Sequence, residues 1–191
     1  MSGNRLGFAM CGSFCTFHRV IPEIEQLKAA GWDIQPILSP TAYSTDTRFG
    51  KAADFVERIE QITGKPVWHT VFSAEPIGPK KLLDLLVIAP ATGNTLAKLA
   101  NGITDTSVTL ACKAHLRNER PVLLAVSTND ALGTAAKNIG VLMNAKHMFF
   151  VPMRQDAPED KPNSVVADFT KIPEAAAAAM EGKQLQPMLL A

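Results

Sequence analysis

Apolar residues follow two alternating patterns along the chain. Mainly apolar runs, of the kind that fill a strand buried on both faces, occupy residues 6–10, 33–38, 82–89, 122–126 and 148–151. A shorter run at 66–71 reads as one more strand. Between these runs apolar residues fall three and four apart, as in Ile21, Ile24 and Leu27, or Phe55, Ile59 and Ile62. That spacing predicts helices over 17–30, 51–63, 92–101, 107–117, 132–145 and 173–181. Gly31 closes the first helix, and Pro22 is tolerable in it only near the start or as a kink. Residues 39–50 and 155–163 read as polar loops, and 75–79, with two prolines and a glycine, as a turn. The strand over 82–89 stops at Pro90. The tail 184–191 ends in apolar residues and should dock on a surface.

Strands alternate with helices about six times, and the strands are apolar throughout. The pattern predicts an α/β fold: a three-layer α/β/α, Rossmann or flavodoxin-like domain on an open parallel sheet of about six strands. With 191 residues the chain makes one domain, its core over 5–151 and a C-terminal loop, helix and tail over 152–191. Ligands of such sheets sit beyond the carboxyl ends of the strands. The informative loops are therefore 11–14, 39–50, 70–79, 90–94, 127–133 and 152–163.

Composition narrows the function. Apolar residues make up 47% and charged residues 19%, as in an ordinary globular protein. The net charge is +1 without a basic stripe, which argues against a nucleic-acid partner. No apolar run approaches the roughly 18 residues of a membrane span. The N-terminus leads straight into a strand rather than a signal peptide. Cys11, Cys15 and Cys112 are odd in number and lack zinc spacing, so reduced cytoplasmic thiols and no metal site are expected.

Two loops carry chemistry. In "CGSFC", Gly12 permits a tight turn and Ser13 puts a hydroxyl and an N–H near a helix start, which suits a phosphate. The same residues also make an ordinary strand-to-helix turn, and no G-x-G-x-x-G fingerprint is present. In "LVIAPATGNTLAKLANGITD", Pro90, Ala91, Thr92, Gly93, Asn94 and Thr95 separate a core strand from a helix. They offer hydroxyls, an amide and open backbone N–H groups to an anionic or planar ligand, with Gly93 leaving room for a ring.

Pro90 to Thr95 resembles the "PASANT" motif of the homo-oligomeric flavin-containing cysteine decarboxylase superfamily. The following "LAKLANGITD" is also similar, and "CGSFC" stands where that superfamily has a Gly-Ser phosphate turn. Within the superfamily, "STDTRFG" (44–50), "AEPIGPK" (74–80), "STNDALG" (127–133) and "QDAPEDKPNS" (155–164) resemble the family of dipicolinate synthase B subunits. That resemblance implies an oxidoreductase subunit. It would act with an A subunit, which supplies NADP, to oxidise the small dicarboxylate dihydrodipicolinate to dipicolinate in the mother-cell cytoplasm during sporulation. It also implies a homo-oligomer and a flavin. FMN is expected rather than FAD, because the Gly-Ser turn offers one phosphate site. The implied cofactor-binding residues are Gly12, Ser13, Ser39, Pro90, Ala91, Thr92, Gly93, Asn94, Thr95, Ser127 and Asn129.

Departures accompany the resemblance. The decarboxylases carry Pro-x-Met-Asn where this chain has Ser127-Thr128-Asn129-Asp130, and a clamp cysteine that residues 155–164 lack. Two alternatives stay open: a non-catalytic partner with a vestigial flavin or phosphate pocket, and an FMN-dependent decarboxylase. The candidate catalytic residues are His69, Asn94 and Arg48. His69 in "VWHT" matches the superfamily's strand-end histidine, or is structural. Arg48 could fork a carboxylate, or be a solvated loop residue. Lys80 and Lys81 are further cations, and Asp130 and Asp156 are possible bases or turn residues. Cys11 and Cys15 read as core packing.

Overall fold

The computed structural model describes residues 4–191. Strands β1 (Arg5–Met10), β2 (Asp33–Leu38), β3 (Leu85–Ala91), β4 (Val122–Thr128) and β5 (Met148–Phe150) are parallel, in the spatial order β2-β1-β3-β4-β5. Nearly every residue of β1, β3 and β4 is buried, because helices cover both faces and leave no polar side to alternate with. The longer helices are α1 (Phe17–Ala29), α3 (Ala52–Thr63), α5 (Gly93–Ala100), α6 (Ser107–Leu116), α7 (Ala136–Met143) and α8 (Ile172–Met180). Two short ones, α2 (Pro40–Ser44) and α4 (Val71–Ala74), follow β2 and the segment around Trp68.

Several elements differ from their sequence expectations. Two further strands, β6 (Met153–Gln155) and β7 (Val165–Ala167), form an antiparallel hairpin. The sheet therefore has seven strands. Residues of β7 pair with Ser127 and Thr128, along the outer edge of β4 that β5 leaves free. Each hairpin strand has three residues, too few for a period-2 signal. The third main strand does not stop at Pro90. It runs to Ala91 through a register shift between Ile88 and Ala91, and the Pro90 carbonyl accepts the Cys11 N–H at 3.3 Å. An irregularity of this kind is where a strand tolerates proline. The run 66–71 supplies only a bridge between Ile37 and Trp68, then turns helical at Val71.

Helix α1 continues through Pro22, whose ring lies on the exposed face. The His18 carbonyl that loses its partner there is on the same exposed side, where water can satisfy it. The helix expected from Leu132 starts at Ala136, after a run of turns closed by the Gly133 and Ala135 N–H groups on the Asp130 carbonyl. The tail docks on its own chain. The Met153 N–H donates to the Met188 carbonyl and the Leu190 N–H to the Met153 carbonyl, both at 2.9 Å. Leu185 and Met188 pack against the core.

Candidate functional site

The order β2-β1-β3 reverses direction at β1, so the chain leaves β1 one way and returns to pair beside it on the other. A crevice opens where such a reversal separates two loops at the carboxyl ends of the strands. Here those loops are Cys11–Gly12 after β1 and Thr92–Thr95 after β3. They line a cavity of about 270 Å³ together with Ser39, Pro40, Thr41, Lys98 and Thr106. Thr92 caps α5, accepting the Thr95 N–H at 3.4 Å, and the Thr95 hydroxyl donates to Cys11 Sγ at 3.1 Å. Ser39 caps α2 by accepting the Ala42 N–H at 3.2 Å. The walls thus offer hydroxyls, the Asn94 amide and one ammonium, Lys98, itself paired with Asp105 at 2.7 Å. That donor set suits an oxyanion. Burial pushes the Cys11 thiol up to about 11, so it serves as a neutral wall of this cavity.

A second cavity, of about 660 Å³, lies on the other side of the first loop. Its walls are Cys15 and Thr16 just before α1, His18 and Arg19 in its first turn, Ser127 to Asn129 at the end of β4, and Asp156, Lys161 and Ser164 to Val166 from the hairpin. A hydrogen bond between the Ser13 and Ser127 hydroxyls, 2.9 Å, links the loops that border the two spaces.

The residues singled out in the sequence divide between these places. Gly12, Ser39, Thr92, Asn94 and Thr95 line the smaller cavity, while Ser127 and Asn129 line the larger. Pro90 and Ala91 are buried strand residues. Gly93 differs from its expectation. A Cβ there would lie 2.8 Å from Thr128 Oγ1 and 2.9 Å from Asp130 Oδ1, so its bare face packs against the chain rather than a ring. Asp130 accepts the Thr128 hydroxyl, which makes it a turn residue. Lys80 and Lys81 precede β3 and so lie at the amino end of the sheet, away from both cavities. Cys15 is exposed rather than packed in the core; Cys11 and Cys112 are buried.

His69 and Arg48 line neither cavity. His69 stacks on Tyr43 at 3.6 Å between ring centroids and 2° between planes. Arg48 is exposed, its guanidinium over the Phe49 ring at 4.9 Å. Both belong to segments flanking the β2 edge, where Phe49 and Val71 are each 45% exposed and Phe72 is 90% exposed. Sequence reasoning missed Lys98, His18, Arg19 and Lys161. Lys98 was legible as one helical turn beyond Asn94. Lys161 joins His18 and Arg19 only when the hairpin folds beside α1.

Comparison with known proteins agrees with this architecture. The flavoprotein family model matches residues 1–181. The dipicolinate synthase B subunit of Bacillus subtilis (strain 168) is 46% identical over 190 residues, covering 100% of this chain and 95% of that protein. The crystal structure of the dipicolinate synthase B subunit from Bacillus halodurans C superposes with a TM-score of 0.91 at 45% identity, covering 100% of this chain and 97% of that one. The FMN-dependent cysteine decarboxylase SpaF shares the fold, with a TM-score of 0.68 at 22% identity over 94% of this chain and 98% of that one. With a match to the family model along nearly its whole length and near-half identity to a B subunit, the chain belongs to the flavoprotein family, in the branch of dipicolinate synthase B subunits.

Proposed function

We propose that the chain is a flavin-binding subunit of an oxidoreductase that, with an A subunit, converts dihydrodipicolinate to dipicolinate. The observation that carries this reading is the cavity at the β1/β3 reversal. Its hydroxyls, amide and single ammonium suit a phosphate ester. At about 270 Å³ it is below the roughly 300–1,000 Å³ of cavities that enclose a whole small ligand. It therefore takes the phosphate end of FMN and leaves the ring beyond it. Gly12, Ser39, Thr92, Asn94 and Thr95 would hold that end, with Lys98 balancing its charge.

Aromatising a dihydropyridine removes a hydride and a proton, and no side chain accepts a hydride. A flavin held here, or NADP on the A subunit, supplies that chemistry. This chain's residues bind, orient and exclude water. A homo-oligomer completes the site in this reading. The exposed Phe49, Val71 and Phe72 side chains at the β2 edge form an apolar face suited to another copy, which would carry His69 and Arg48 toward a neighbour's ring. A decarboxylase has less support, since the likeness to SpaF, at 22% identity, reaches only the fold.

Titration of the flavin-free chain with FMN and with FAD, followed by flavin fluorescence, tests the cofactor. FMN should bind tighter; equal or tighter FAD binding overturns the one-phosphate argument. The rate of dipicolinate formation by the A–B complex, with and without FMN, tests the reaction. A rate indifferent to FMN moves the chain to the non-catalytic reading.

A further inference from the structure

The larger cavity has a chemistry of its own. Arg19 sits on its wall, and its guanidinium lies over the Phe169 ring at 5.2 Å. Among the described residues Arg19, like Arg48 and Arg117, forms no ion pair, whereas Arg5, Arg58, Arg120 and Arg154 each hold a carboxylate; of the three unpaired arginines only Arg19 lines this cavity. A guanidinium held by a ring, bound to no carboxylate and belonging to a residue that lines a cavity, is available to an oxyanion. Lys161 lines the same cavity, and its ammonium reaches Asp156 at 3.3 Å. That contact is long for a charge-assisted bond, and the lysine is more than half exposed, so it can turn to a second acid.

The rest of the wall suits a planar ring. Val165 and Val166 supply apolar surface, and Ser127, Thr128, Asn129 and Ser164 supply neutral hydrogen-bonding groups at the edge. Asp156 is the one carboxylate in the lining and it is already matched by Lys161. At about 660 Å³ the space is ample for one substituted six-membered ring. The Ser13–Ser127 contact places it directly beside the loop assigned to the cofactor phosphate.

We propose that this cavity is the dicarboxylate site, with Arg19 forking one carboxylate and Lys161, shared with Asp156, meeting the other. The inference rests on the oxidoreductase reading for the identity of the acid, and on the cavity itself for its location. Arg48, on the exposed β2 edge, is not needed for it.

The cavity carries its own reporter. Cys15 lines it and is exposed, while Cys11 and Cys112 are buried with thiols pushed up to about 11 and about 12 by desolvation. Iodoacetamide at about pH 7.5 should therefore alkylate Cys15 alone in the folded chain. The experiment measures that labelling rate, with mass spectrometry to locate the adduct, at rising pyridine-2,6-dicarboxylate. It is run on the FMN-treated chain with and without the A subunit. Calorimetric titration of wild type, Arg19→Gln, Arg19→Lys and Lys161→Gln runs in parallel.

Dicarboxylate should slow Cys15 labelling at least fivefold at saturation. Arg19→Gln should weaken binding tenfold or more, Arg19→Lys should restore part of it, and Lys161→Gln should weaken it several-fold. Pyridine-2-carboxylate, with one acid, should bind weaker than the diacid and protect less. If the diacid binds wild type and variants alike, or binds without protecting Cys15, the site is elsewhere; dipicolinate formation by the complex then still stands as the test of function. If wild type binds no diacid in either state, the inference fails outright, and the rate assay decides the function separately.

Discussion

His115 should make the fold acid-labile in a specific window. It lies in the last turn of α6, 1% exposed, with Nε2 3.0 Å from the Pro121 carbonyl just before β4. The carbonyl can only accept, so Nε2 carries the proton and Nδ1 is bare. Burial disfavours the imidazolium and lowers the pKa from 6.5 to about 4, against the opposing pull of the Pro121 carbonyl. A histidine depressed in the folded state binds more protons when unfolded, so stability rises with pH across that interval. Stability is complete above about pH 6.5 and declines as pH falls toward about 4. At about 1.36 kcal/mol for each tenfold change in acidity, the full loss is roughly 3 kcal/mol, of which about 2 kcal/mol is already gone by about pH 5. A loss of this size is a large share of a typical domain's roughly 5–15 kcal/mol. Urea unfolding of wild type and His115→Gln at about pH 7.5, 6 and 5 isolates it. The glutamine can still donate to a carbonyl but does not titrate. Wild type should be the more stable protein at pH 7.5 by about 1 kcal/mol, the worth of one well-made hydrogen bond. The difference should vanish and reverse by about pH 5. Parallel pH profiles for the two proteins would refute the assignment of a buried neutral imidazole.

Other substitutions test the same picture. Gly93→Ala should lower the stability of the flavin-free chain by about 1–2 kcal/mol, since its methyl displaces Thr128 and Asp130; a variant with unchanged melting but weakened FMN binding would instead mean that Gly93 faces the ligand. Asp84→Asn should cost about 1 kcal/mol, because the carboxylate sits between Arg5 and Arg120 at 2.9 and 3.1 Å but is partly solvated. FMN affinity should not change there, as Asp84 lies at the amino end of β3, and a change would contradict the placement of the phosphate cavity. Deleting residues 185–191 should destabilise by about 2 kcal/mol through the loss of Leu185, Met188 and the backbone bonds to Met153. Sedimentation should then show the same assembly as wild type, since the tail docks within its own chain; a change of oligomer would assign it to an interface.

What the amino-acid sequence by itself determined is what depends on near neighbours. Apolar runs and three-four spacing reveal β1 to β5 and the long helices, because burial on two faces or one stripe is written in the local period. The helix start near Thr92 and the small residues after β3 are legible for the same reason: a helix start must satisfy its own N–H groups. That Pro90–Thr95 faces the Gly12-Ser13 turn is expected from the sequence, since both loops follow parallel strands; the tertiary structure decided how closely they meet. Cys11–Gly12 and Thr92–Thr95 lie far apart in the numbering and share a cavity because β1 pairs directly with β3. No local pattern encodes that pairing. Gly93 looked open to a ring until Thr128 and Asp130, brought by β4, filled its bare side. The hairpin was hidden because three-residue strands carry no period, and with it were hidden Arg19 and Lys161 as neighbours across one cavity. Side chains at such separations become partners only through the packing of whole elements, and that packing is a property of the folded chain as a unit.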